Sequence, residues 1–518
     1  MAKLSQLAWV LSLTALAYAQ YTNPVHWYDY PDLDVFRVDD TYYASASNMH
    51  FSPGAPILRS FDLANWEAAG HSIPRNDFGP GYDLENGQNA YVKGSWASYL
   101  KYRPSNGLFY WGGCVNFNQT WFYTASSVEG PWESHPPLDK CYYDAGLLVD
   151  DDDTMYVTYG SKEFSIAQLT PDGLGEVKSQ VVYSSDDYIE GSRMYKINGT
   201  YYIFYTQPVT KEGVLRSTGG PFGPYEQHDF INNLAPPVDQ AGPPHQGGIV
   251  DTPEGDWYYL GFIDAYPEGR VPVLAPFHWS DDGWPSIEVD GNGGFGAQYP
   301  MPNIQTNKTV RSPLGIEYFN NTQLNADWEW NHNPDNSKWS FDPNGGLTLS
   351  SATVTEDLYM AQNTLTRRIA GPASVATIEL DYSKLGDGDR AGLVLLRDMS
   401  AWIGVVRDDG ATRVVFADGI NMDNSWHTVS NGTEVASKPV DNASTIWLRA
   451  TANVAPSSDR LATFEYSTDG QTFESLADPF YLDTTQMFFT GYRFGIFMRT
   501  VTELGGSVTL KSFELELA

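Results

Sequence analysis

One arrangement of apolar and polar positions recurs five times between residues 32 and 290. In each copy an apolar run meets a polar turn and an aromatic-rich run follows: VFRVDDTYYASAS, LKYRPSNGLFYWGG, LLVDDDDTMYVTYG, MYKINGTYYIFYT and IVDTPEGDWYYLGF. The turns hold Asp39-Asp40, Asn106-Gly107, Asp152-Asp153, Asn198-Gly199 and Glu254-Gly255, residues that tolerate the positive φ of a tight hairpin. The flanking Val, Ile, Tyr and Phe suit a pleated, half-buried surface. A second pair of strand-like pieces follows the copies, as in ILRSFDLANWEAAG, FYTASSVEGPWESH, VLRSTGGPFGPYEQ and FHWSDDGWPSIE. The aromatic pairs lie 46 to 67 residues apart, the length of one four-stranded blade. The pattern predicts a five-bladed β-propeller over residues 20–300; a β-sandwich there would not produce this periodicity.

The pattern then changes. GNGGFGAQYPMPN is rich in Gly, Pro and Asn and leads into a linker placed at residues 301–315. From residue 316 to 518 the chain alternates with period two, as in ASVATIELDY, AGLVLLRD, TIWLRATA and VTLKSFELE. That alternation predicts a second all-β domain, a β-sandwich of the jelly-roll, concanavalin A-like type.

Composition narrows the setting. The 518 residues carry a formal net charge of -33, which repels nucleic acid and anionic membranes and leaves neutral sugars untouched. Residues 1–19 read as a signal peptide: Lys3, an apolar run from Leu7 to Leu16, and Ala17-Tyr18-Ala19 before Gln20. The run is too short to span a bilayer, so a secreted, extracellular protein is expected. Sequons at Asn118, Asn198, Asn307, Asn320, Asn431 and Asn442 fit a glycoprotein. The two cysteines, Cys114 and Cys141, either pair or stay as separate thiols; the sequence leaves both open.

Candidate chemistry follows from the repeat. The first strand of each blade lines a propeller's central channel. Ten to thirteen residues before the aromatic pairs stand Asp32, Trp96, Asp144, Glu190 and His245. Three acids at matched positions are poor core residues, because burying an unpaired charge is costly. Two carboxyl groups facing across a pocket are the basic equipment of glycoside hydrolysis, and a third can raise the acid's pKa. Trp96 is either a platform for a sugar face or inter-blade packing. Asp34 is a rival to Asp32, since strict alternation would put both on one face. The run Asp150 to Asp153 reads as a hairpin tip rather than a calcium loop.

At these residues the chain resembles glycoside hydrolase family 43, especially its two-domain members. NPVHWYDYPDLDVFRVDDTYY, DLANWEAAGH, YYDAGLLVDDDDTMYVTYG, YIEGSRMYKINGTYYIFYT, PHQGGIVDTPEGDWYY and GRVPVLAPFHW carry the likeness. The resemblance implies hydrolysis with inversion, with Asp32 as general base, Glu190 as general acid and Asp144 orienting the acid and raising its pKa. His245 corresponds to a channel histidine and Arg270 to an arginine contacting the innermost sugar. Met49 stands where many xylosidases carry a Phe in the subsite wall. No cofactor is required on this reading; a structural calcium ion in the propeller channel is the one metal it allows. The expected substrate is plant cell-wall polysaccharide or oligosaccharide. The preferred activity is an α-L-arabinofuranosidase on arabinoxylan or arabinan. A β-D-xylosidase on xylo-oligosaccharides is the alternative, and a non-catalytic carbohydrate-binding protein the third reading.

Overall fold

The computed structural model describes residues 19–440 and 443–518. Residues 1–18 of the expected signal peptide at 1–19 and the sequon at Asn442 lie outside the described residues. Five four-stranded antiparallel sheets follow one another in simple up-and-down order. Blade one comprises Asp34–Val38, Thr41–Ser45, Gly54–Ser60 and Trp66–Ile73. The first strands of the other four are Tyr99–Arg103, Gly146–Val149, Glu190–Ile197 and His245–Asp251. These inner strands touch their neighbours in sequence, and the fifth returns to the first, so the ring is closed. Gln20–Thr22 pairs with Gln298–Pro300, tying the start of the propeller to its end.

The strands' burial explains their composition. The innermost strands are packed on both faces, whereas the outer strand Glu176–Ser184 is largely solvated. Aromatic and aliphatic side chains fill the spaces between blades. Phe36, Ile57, Leu100 and Trp111 join blades one and two, and Tyr99, Leu147 and Val157 join blades two and three. Burying such a side chain fully is worth about 1.5–3 kcal/mol. Cys114 and Cys141 form a disulfide that ties the second strand of blade two, Leu108–Val115, to the connection into blade three.

Residues 301–314 form no strand and lead into a β-sandwich that begins at Gly315–Glu317. One sheet has nine strands and the other seven. Ile378, Leu380, Leu393, Leu395, Ile403, Phe494 and Ile496 fill the space between them. The seven-stranded sheet is apolar on its other face too. There Val394, Leu396, Trp402 and Phe497 pack with Tyr91 and Val92 of the propeller. A buried ion cluster reinforces the contact: Glu329 of the sandwich bonds Arg368 at 2.9 Å, Arg493, and His71 of blade one at 2.9 Å. The sandwich is therefore fixed to the propeller beside the mouth of its channel.

Candidate active site

In each blade the chain enters the inner strand at one end of the ring and returns to that end between the second and third strands. Asp32 and Asp144 precede their inner strands by two residues, while Glu190 and His245 open theirs. Four of the five repeat-matched positions thereby face one mouth. The aspartates are turned by backbone geometry: Asp32 has φ 61° and Asp144 φ 50°. The positive φ breaks strand alternation between Asp32 and Asp34, so the two carboxyls part.

Asp32 accepts a hydrogen bond from Ser47 Oγ at 2.6 Å and one from Arg270 Nη1 at 2.9 Å. Asp34 instead lies fully buried beneath the site. It bonds Lys101 Nζ at 2.7 Å and the amide of Leu100, with Arg193 Nε at 3.8 Å. Arg193 binds the two layers together by donating to the carbonyls of Asp32 and Ala145. Asp34 is thus a buried ion-pair member, and the period-two reading that made it a rival base does not describe this segment.

Asp144 and Glu190 form the second half of the cluster. Asp144 accepts the amide of Gly191 at 3.1 Å. Gly191 has φ 66°, and a Cβ there would lie 2.8 Å from Gln246 Cγ, so only glycine lets the acid's neighbour fold back on Asp144. Glu190 Oε2 accepts from the Tyr143 hydroxyl at 2.7 Å. Burial raises the pKa of Asp144 well above the carboxylate range, and the charges of Glu190 and Asp32 add to it. Burial raises Glu190 as well; the hydroxyls of Tyr143 and Tyr188 pull it down, and Asp32 pushes it up. Two such carboxyls beside a third resist ionising together, so the pair retains a proton to higher pH than a free acid would.

His245 is buried, with Nδ1 on the carbonyl of Pro243 at 2.9 Å and Nε2 3.9 Å from Asp264. Burial lowers its pKa and favours the neutral imidazole, while the charge of Asp264 opposes the shift. Arg270 bridges Asp32 and Asp264, with Nε 3.4 Å from the latter. Its entry loop turns at Gly269, φ 107°, where a Cβ would meet Asp29 at 2.4 Å. Trp96 is half-buried on the rim, 4.9 Å from the ring of Phe489. Met49 is fully buried, its backbone bridged to Ser95 next to Trp96, so it presents no surface to a ligand.

The cation expectation meets an occupied neighbourhood. The Arg270 guanidinium engages Oδ1 of Asp32 and lies 3.4 Å from Oδ1 of Asp264, while Oδ2 of Asp264 is 3.9 Å from His245 Nε2. Among the described residues no group of three or more His, Cys, Asp or Glu is placed to hold a metal ion. The run Asp150 to Asp153 is partly neutralised by two cations, Lys196 beside Asp150 and Asp151 and Arg103 beside Asp153.

Four contributors carry no signal in the repeat. Ser47 and Asp264 lie in other parts of their blades, Tyr143 precedes Asp144, and Phe489 comes from the sandwich. Phe489 places its ring 5.4 Å from the Arg270 guanidinium, so the second domain completes the wall. A separate cleft of about 670 Å³ between propeller and sandwich, lined by Trp132, Trp330 and Trp339, shares no residue with this cluster. Volume alone does not locate the chemistry; the clustered titratable groups do.

A propeller that gathers three carboxyl groups and an arginine at one end of its axis, with a sandwich docked beside it, defines a carboxylate-dependent glycoside hydrolase. The comparisons agree. Residues 21–285 match the family described as Glycosyl hydrolases family 43, and residues 317–516 match the Beta xylosidase C-terminal Concanavalin A-like domain. The chain belongs to glycosyl hydrolases family 43. It is 28% identical over 561 residues to a beta-xylosidase of Formosa agariphila, covering 95% of this chain and 90% of that protein. It is 27% identical over 415 residues to a non-reducing end alpha-L-arabinofuranosidase of Bacteroides ovatus, covering 75% and 76%. A solved family 43 glycoside hydrolase superposes with a TM-score of 0.94 at 45% identity, covering 96% of this chain and all of that one. That protein was engineered at its active site to display both endo-xylanase and exo-arabinofuranosidase activity.

Proposed function

We propose that this protein is a secreted, inverting exo-glycosidase that releases a terminal pentose from plant hemicellulose, with α-L-arabinofuranosidase activity on arabinoxylan or arabinan. The observation that carries the reading is the division of the three carboxyls. Asp32 is held by Ser47 and Arg270, while Asp144 and Glu190 share an environment that retains a proton. In the proposed reaction Glu190 gives its proton to the glycosidic oxygen as the bond from that oxygen to the anomeric carbon breaks. Asp32 takes a proton from water, whose oxygen attacks the opposite face of the same carbon. Asp144 orients Glu190 and holds its pKa up. Exchange with solvent returns both acids to their starting states.

Arg270, Trp96 and Phe489 stand in contact as a wall beside the carboxyls, an arrangement that suits a pentose, which lacks an exocyclic hydroxymethyl group. A β-D-xylosidase is the second reading, supported by the beta-xylosidase of Formosa agariphila. Turnover of arabinosyl and xylosyl nitrophenyl glycosides distinguishes the two; no turnover of either removes both. The role of Glu190 is tested with Glu190→Gln on an oligosaccharide, whose leaving group needs protonation. The expected result is a loss of about 10²–10⁴-fold in turnover, the usual contribution of general acid catalysis, with the thermal transition unchanged. Wild-type turnover would assign the acid elsewhere.

A further inference from the structure

Phe117 is 58% exposed, although water contact disfavours so large an apolar ring. It lies in the turn between the second and third strands of blade two, Leu108–Val115 and Gln119–Ala125. That turn returns to the end of the ring occupied by Asp32, Asp144 and Glu190. Asn116 and Phe117 both adopt left-handed backbone, φ 55° and 53°, a conformation unfavourable for a residue such as Phe. The turn is held in place by Asn116 Oδ1, which accepts from the Tyr82 hydroxyl at 2.6 Å and from the amide of Gly94 at 3.3 Å. A strained turn thus presents an exposed ring and is fixed from below by a side chain of its own.

The ring has a definite place relative to the chemistry. Its centroid is 5.9 Å from that of Tyr143 and 5.5 Å from that of Trp96. Tyr143 bonds Glu190, and Trp96 packs on Phe489, which faces Arg270. The aromatic wall therefore runs outward from the proton donor and ends at Phe117. A proton donor touches the glycosidic oxygen, and that oxygen belongs to the leaving group. Phe117, the outermost ring of that wall, consequently flanks the leaving group, whereas Trp96 and Phe489 stay beside the released sugar.

We infer that Phe117 is a stacking platform for the leaving-group side of the substrate, a subsite for neutral backbone sugars of the polymer that carries the cleaved residue. The inference rests on the exo-pentosidase reading above. An apolar ring takes the C–H face of a sugar, and a chain of net charge -33 favours a neutral backbone over one rich in uronic acids. The subsite makes the enzyme a polymer-directed hydrolase whose small-substrate activity does not depend on Phe117.

The test compares wild type with Phe117→Ala and Phe117→Trp, all enzymatically deglycosylated because Asn118 of the adjacent sequon follows directly. For Phe117→Ala, kcat/KM on the pentosyl fluoride, whose single-atom leaving group cannot reach the ring, should stay within about twofold. On arabinoxylan it should fall at least about tenfold, through KM, and Phe117→Trp should restore it. Equal losses on both substrates, or no loss on the polymer, would overturn the inference. Retardation in gels containing arabinoxylan, measured in a Glu190→Gln background, reads the subsite without turnover. Retardation that does not depend on Phe117 overturns the inference. Phe117-dependent retardation by a wild-type protein that releases no pentose would overturn the reaction while upholding the subsite.

Discussion

Tyr143→Phe removes one hydroxyl and keeps the ring in the rim. The hydroxyl donates to Glu190 Oε2 at 2.7 Å and favours the carboxylate form. Its loss should therefore raise the pKa of the acid, not lower it. A hydrogen bond to a charged group contributes about 1.5–3 kcal/mol, and the lower figure applies where Tyr188 and water remain as partial substitutes. At 1.36 kcal/mol per unit this is a rise of about one pKa unit. The assay is the pH dependence of kcat/KM on an oligosaccharide, whose sugar leaving group needs the proton; nitrophenolate departs with little help and dulls the effect. The alkaline limb should move up by about one unit and the acidic limb, set by the base, should stay. The apparent value belongs to the Asp144–Glu190 pair, but the direction does not depend on how the pair divides it. An alkaline limb that stays in place or moves to lower pH would refute the assignment of Tyr143 as the partner that tunes Glu190.

Two further outcomes probe the support beneath the site. Asp34→Asn leaves Lys101 and Arg193 buried without their carboxylate, so urea unfolding should show a loss of about 3–5 kcal/mol while the folded enzyme keeps turnover within about tenfold; a collapse of turnover equal to that of Asp32→Asn would restore Asp34 as the base. Glu212 is buried in blade four, accepts the amide of Gln246 at 2.8 Å, and has its pKa raised by burial to about 8. A raised folded pKa means the stability is complete below the unfolded value near 4.5 and is lost as pH climbs through 8. Between pH 4.5 and 8 wild type should accordingly lose about 4 to 5 kcal/mol relative to Glu212→Gln, and parallel unfolding curves for the two proteins would exclude this role.

What the sequence could reveal follows from where each interaction is encoded. The blades were legible because every blade repeats one local pattern, a hairpin turn between an inner apolar strand and an aromatic strand. The convergence of Asp32, Asp144, Glu190 and His245 at one end of the ring was legible for the same reason: equal offsets from equal strands end at equal places. The separation of Asp32 from Asp34 was not, because alternation assumes extended backbone and Asp32 has φ 61°. The pairing of Cys114 with Cys141 was open, because two cysteines admit both states until the connection between blades two and three brings them together. Met49 shows a different limit, since matching a position to a wall does not fix which side of the wall a side chain occupies. Phe489 lies beyond any repeat argument. Its place depends on the apolar outer face of the seven-stranded sheet docking on Tyr91 and Val92, a contact between segments roughly three hundred residues apart whose register no local pattern records. The reactive groups thus come from the repeat, whereas one side of the wall beside them, Phe489, comes from the junction with a second domain. The acids and the second-domain ring beside them are encoded in different parts of the chain, so a change in the docking can alter the accepted sugar without touching the acids.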